Sequence, residues 1–150
     1  MRYFEDFAVG DAFELGSRSL SQDQIIAFGR DYDPQPFHVD PEAAKSGPFG
    51  TLIASGWQTV GVFMSLLVHG LINDTVSLGS PGIEDIKWLR PVKAGDRLTG
   101  RVRICESTPS KSRRDRGILK TEGELTNQDG ELVMTIRAVN FFGRRPSPGR

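Results

Sequence analysis

The chain has 150 residues, 19 basic and 19 acidic side chains, two histidines and one cysteine. That length suits one domain burying roughly 70% of its unfolded surface, and balanced charge gives no global field for nucleic acid or an anionic membrane. Cys105 alone excludes an intrachain disulfide framework and every multi-cysteine metal motif, which points to the reducing cytoplasm.

Met1-Arg2-Tyr3-Phe4 does not read as an export signal, and no apolar run reaches membrane-spanning length. Val9-Gly10-Asp11 marks a turn, after which residues 12–16 alternate as a short strand. Ser21 and Gln24 form a capping box ahead of Ile25, Ile26 and Phe28, so a helix is expected. Pro34 and Pro36 force it to end near Tyr32. A second, short helix is expected from Asp40-Pro41, with aspartate as cap, and Ser46-Gly47-Pro48 stops it.

Residues 53–72 carry almost no charge, and a helix from Ser55 to Gly70 would be about 24 Å long. Apolar nearly all round, it is expected to be buried on every side. Strands follow at 83–89, 97–105, 118–127 and 131–142, with bends at Gly95-Asp96 and Gln128-Asp129-Gly130. The tight Asp-Gly connection makes the last two a hairpin, so the sheet is at least partly antiparallel. The fold class expected is α+β, a curved sheet holding one long helix. Residues 1–143 read as a single domain. From Arg144, with Pro146, Pro148 and Gly149, residues 144–150 read as a disordered tail.

The chemistry concentrates in Asp31-Tyr32-Asp33-Pro34-Gln35-Pro36-Phe37-His38. The forced turn can bring the carboxylate of Asp33 and the imidazole of His38 toward one point, an arrangement suited to activating water. Taken alone, an Asx turn at Asp33 and a helix cap at His38 account for the same residues. Gly56 at the start of the long helix, on local sequence alone, serves close packing against the sheet.

Three segments resemble the MaoC-type hot-dog family, which includes (R)-specific enoyl-CoA hydratases and acyl-CoA dehydratases: Asp33 to Ala44, Ala54-Ser55-Gly56-Trp57, and Trp88-Leu89-Arg90-Pro91-Val92 leading to Gly95-Asp96. The resemblance implies a hot-dog fold, a homodimer or higher homo-oligomer, an acyl-CoA substrate and no metal or organic cofactor. It implies reversible addition of water to a trans-2-enoyl thioester, with Asp33 and His38 activating the water, and Asp31 as the alternative acid if the turn is aligned on its first proline. It also implies an oxyanion site at Gly56, with Ser55 standing where the family has histidine.

The rival readings are a hot-dog thioesterase and a non-catalytic acyl-CoA binding domain. Lys111, Arg113, Arg114 and Arg116 could meet CoA phosphates, although such a run is more often a solvated loop. His69 reads as structural, bonding carbonyls near the helix end. Acyl pocket depth depends on which of Trp57, Phe63, Met64 and Trp88 line it.

Overall fold

A computed structural model of the protein describes residues 1–148. Its strands are β1 (Ala12–Ser19), β2 (Gly82–Trp88), β3 (Arg97–Pro109), β4 (Arg116–Thr126) and β5 (Leu132–Gly143). They form one antiparallel sheet in the order β1-β3-β4-β5-β2. Helices α1 (Gln22–Tyr32), α2 (Pro36–Val39) and α3 (Pro41–Lys45) precede the long helix α4 (Gly56–Gly70), which packs on the sheet. This is the expected α+β arrangement of a sheet around one long helix.

Local chemistry explains most of the boundaries. The Ser21 hydroxyl accepts from the Gln24 N–H while the Gln24 side chain accepts from the Ser21 N–H, closing the capping box of α1. Asp40 caps α3 through the N–H groups of Glu42 and Ala43. In the β4–β5 connection the Asn127 side-chain oxygen accepts from Asp129 and Glu131, and Gly130 takes φ +74°. The expected hairpin forms there.

Two strands run further than expected, both through bulges. Gly16 has φ +86° at a register shift in β1, so the glycine that resembles a strand end lets pairing continue to Ser19. A similar shift between Ile104 and Glu106 carries β3 past Cys105 to Pro109.

Glycines in the sheet make room for α4. Phe63 fills the space over Gly123, where a methyl group would lie 2.1 Å from the ring, and Leu66 sits over Gly100. Gln58, Thr59, Val62, Phe63, Leu66 and Leu67 are buried. The other side corrects the expectation of a helix sheathed all round: Trp57 is 59% exposed, Met64 is 50% exposed, and Gly61 between them has nothing near it. An almost uncharged helix shows that much surface avoids water, but α1, the sheet and the loops of this chain cover only one flank.

Arg144 and Arg145 bond Glu5 and Asp6 in the first turn of the chain. Residues 149 and 150 of the expected disordered tail lie outside the described residues. Among the described residues no helix is long and apolar enough to cross a membrane.

Candidate active site

The turn after α1 is held from both sides. Gly29 of α1 lets α2 approach so closely that a methyl group there would lie 2.9 Å from the His38 carbonyl oxygen. Pro36 starts α2 and supplies no N–H that the first helical turn would leave unpaired. The backbone of Ile53 then clamps α2, its N–H donating to the Phe37 carbonyl at 3.0 Å and its carbonyl lying 2.7 Å from His38 Nδ1. A carbonyl only accepts, so Nδ1 carries the proton and Nε2 faces the cleft side of the ring.

His38 Nε2 lies 3.2 Å from Asp33 Oδ2. The same carboxylate oxygen accepts from the Ser55 hydroxyl at 2.8 Å, and Oδ1 accepts from the Gln35 amide at 2.8 Å. His38 is 4% exposed and Ser55 is fully buried. Burial by itself raises the Asp33 pKa, but the Gln35 amide, the Ser55 hydroxyl and the His38 ring together hold it below the usual carboxylate range. The acid is therefore ionised, oriented by its donors and beside an imidazole whose Nδ1–H is held by the Ile53 carbonyl.

Ser55 also joins this cluster to α4. As N-cap it accepts from the Trp57 N–H, while the Gly56 N–H has no acceptor among the described residues. Helix starts favour negative charge on such free N–H groups. The close-packing reading of Gly56 holds as well: a methyl group there would lie 2.5 Å from the Trp88 indole, whose N–H donates to the Gly56 carbonyl at 2.9 Å. These groups open on a cleft of about 460 Å³, lined on one side by Asp33, Gln35 and His38 and on the other by Gly56, Trp57 and Trp88.

Asp33, His38, Ser55 and Gly56 are thus brought together. Asp31 is not: it is exposed on the last turn of α1, outside the cleft lining. The turn-and-cap alternative fails too, because Asp40 caps α3 and Asp33 bonds side chains rather than the next backbone N–H groups. Of the four residues expected to set pocket depth, Trp57 and Trp88 line this cleft while Phe63 and Met64 line a separate hollow. Gln35, the Ile53 carbonyl and the Trp88 indole were not foreseen as partners.

The basic loop stands apart from the cleft within the chain. Arg116 pairs with Gly143 at one end of β4 and β5, whereas Leu125, Met134 and Trp88 align at the other, roughly 30 Å along the strands. Arg113 and Arg116 both approach Asp115. The cleft's own cation is Arg90, paired with Glu131 at 2.9 Å. His69 bonds the Ser65 carbonyl, in keeping with a structural role. Among the described residues no group of three His, Cys, Asp or Glu side chains is placed to hold a metal ion.

Comparison with known proteins gives this geometry a family. The model of the MaoC like domain matches residues 6–126. The chain belongs to that family. The MaoC-like dehydratase of Rhodospirillum rubrum superposes with a TM-score of 0.89 at 40% identity, over 98% of this chain and all of that one. A 3-hydroxybutyryl-CoA dehydratase of Methylorubrum extorquens is 27% identical over 89% of this chain and 83% of its own. The uncharacterized protein YdeM of Bacillus subtilis is 31% identical over 89% of this chain and 97% of its own. The MaoC likeness covers both the turn bearing Asp33 and His38 and the start of α4, and the fold is the hot-dog fold of those structures.

Proposed function

We propose that this MaoC-like protein is a hydro-lyase that adds water reversibly to a trans-2-enoyl-CoA thioester, giving the 3-hydroxyacyl-CoA. The observation that carries this reading is the 3.2 Å approach of His38 Nε2 to Asp33 Oδ2 at a cleft that also holds the start of α4. A carboxylate and an imidazole side by side at the cleft can hold one water molecule and exchange protons with it. In the hydration direction the Asp33–His38 pair takes one proton from that water as its oxygen bonds C3, and the pair returns that proton to C2. The electron pair of the double bond moves onto the thioester oxygen before C2 is protonated, and the Gly56 N–H stabilises that oxyanion. No metal or organic cofactor enters this scheme.

Ser55 and Gln35 serve as positioning residues, since both act through the Asp33 carboxylate. A second copy of the chain is proposed to cover the open flank of α4, where Trp57, Gly61 and Met64 form an exposed stripe.

Crotonyl-CoA tests the reaction. Loss of the enoyl absorbance without release of free thiol is the expected result. Thiol release would identify a thioesterase, and neither change with any enoyl-CoA would leave an acyl-CoA binding domain. Asp33→Asn and His38→Gln are expected to lower turnover by roughly 10²- to 10⁴-fold, while Asp31→Asn stays near wild type. His38→Gln is preferable to alanine because the ring is buried against Ile53. Inactivity of Asp31→Asn with active Asp33→Asn would reverse the assignment of the acid.

A further inference from the structure

Among the described residues, two side-chain hydrogen bonds join α1 and its C-cap to the start of α4. One is the bond from the Ser55 hydroxyl to Asp33. The other runs from the Gln58 amide nitrogen to the Gln24 backbone carbonyl, at 3.0 Å. Gln24 lies in the first turn of α1 and Asp33 closes its last, so these bonds hold points about 14 Å apart along one helix. Ser55 and Gln58 fall within a single turn of the other. Ile25, beside Gln24, is fully buried, but apolar burial is non-directional. The amide bond supplies the direction.

Packing alone does not account for Gln58. A carbonyl only accepts, so the amide must turn Nε2 toward Gln24, and Oε1 is then buried with no donor among the described residues. The residue is 8% exposed and lies outside the lining of the catalytic cleft. A buried amide with half of its bonding unmade adds no stability that an apolar chain of the same length would lack. Its role lies in where it puts α1. That helix ends on the acid, and through Gly29 it packs against the backbone of His38.

We propose that Gln58 is a positioning residue: its bond to Gln24 braces α1 against α4, so that Asp33 stays on the Ser55 hydroxyl and the Asp33–His38 pair stays aimed at the reacting carbons. The inference rests on the hydro-lyase reading for the chemistry, and on the two bonds for the brace. Without Gln58, α1 is tied to α4 only at its far end and can swing about that point. A misplacement of about 1 Å at a reacting centre costs about 100-fold in rate. Substrate affinity, which depends on the cleft walls, is left alone.

Gln58→Met removes the donor and nearly keeps the volume. It is expected to lower kcat for crotonyl-CoA hydration about 10- to 100-fold with KM within about twofold, and to leave the thermal midpoint equal to or above wild type. Gln58→Glu separates donation from shape. Its ionised carboxylate repels the Gln24 carbonyl, whereas its protonated O–H can donate to it. Burial raises the pKa of such a carboxyl, so turnover relative to wild type should recover as pH falls. Unchanged kcat in Gln58→Met overturns the proposal, as does a lowered midpoint with kcat and KM worsening together. Relative turnover of Gln58→Glu that stays flat with pH also overturns it.

The Asp33 carboxyl, followed by carbon NMR, reports the brace without turnover. His38 is the titratable side chain in contact with it. Drawing Asp33 off the Ser55 hydroxyl removes a donor that holds its pKa down, so its titration should move to higher pH in Gln58→Met. That shift in a protein that turns over no enoyl-CoA removes the hydro-lyase reading and keeps the brace. An unchanged titration in an active enzyme removes the brace alone.

Discussion

The two flanks of α4 have nearly the same composition and opposite surroundings. Phe63 and Leu66 sit in slots over Gly123 and Gly100, where the sheet has given up side chains to receive them, while Trp57, Gly61 and Met64 face outward on the same helix. Hydropathy alone does not separate them. The difference lies in the strands, because a glycine on an inward-facing strand position signals that a large side chain arrives from the opposite layer. The covered flank is held by its own sheet, and the open flank depends on something other than this chain's core.

The largest effect that would sharpen this contrast is Phe63→Ala. Emptying the slot over Gly123 is expected to cost about 3–5 kcal/mol in chemical denaturation. A loss below 1 kcal/mol would mean that the sheet collapses into the space and that the slot is not specific. From the other side of the contact, Gly123→Ala is expected to cost about 1–3 kcal/mol by overpacking, since the Phe63 ring is buried and has little room to retreat.

Ser55→Ala acts where the two flanks meet, at the helix start. Loss of the cap is expected to cost about 1 kcal/mol, and Asp33 loses one of the donors that lower its pKa. A carboxylate whose folded pKa lies below its unfolded value, about 3.9 for aspartate, stabilises the fold above that pH. The contribution fades as pH falls through the folded value. Acid unfolding of Ser55→Ala should therefore begin at higher pH than in wild type, and coincident acid transitions would show that the hydroxyl does not tune the acid. Met64→Ser tests the open flank itself: with the proposed second copy seated there, a loss above about 0.5 kcal/mol is expected, with a midpoint that depends on protein concentration. A loss within about 0.5 kcal/mol, as at an exposed position, with no concentration dependence would show that nothing covers that flank.

Elements whose causes are local were legible in the sequence. The Ser21–Gln24 box, the Asp40 cap, the extent of α4 and the hairpin at Gln128-Asp129-Gly130 each depend on neighbours within a few residues. The pairing of Asp33 with His38 was legible for the same reason, because two prolines confine the turn between them. What was not legible came from distant chain. The Ile53 carbonyl holds the His38 Nδ1–H through a backbone atom that no residue type advertises, and Trp88 reaches Gly56 across 32 positions. Asp31 and Asp33 offer the same chemistry two residues apart, and only the direction in which α1 ends against α2 separates them. The open flank was misread because periodicity reports which residues avoid water but not what shields them.

The strand order also sets a sequence of events in refolding. Strands β3, β4 and β5 are joined by short connections and can zip as neighbours, but β1 must find β3 across a long loop, as Ser17 and Thr99, bonded through their hydroxyls, are 82 positions apart. The segment carrying Asp33, His38 and Ser55 lies inside that loop. A chain emerging from denaturant should therefore regain its hairpin before it regains the turn that carries Asp33 and His38, with the proposed enoyl turnover the last signal to return.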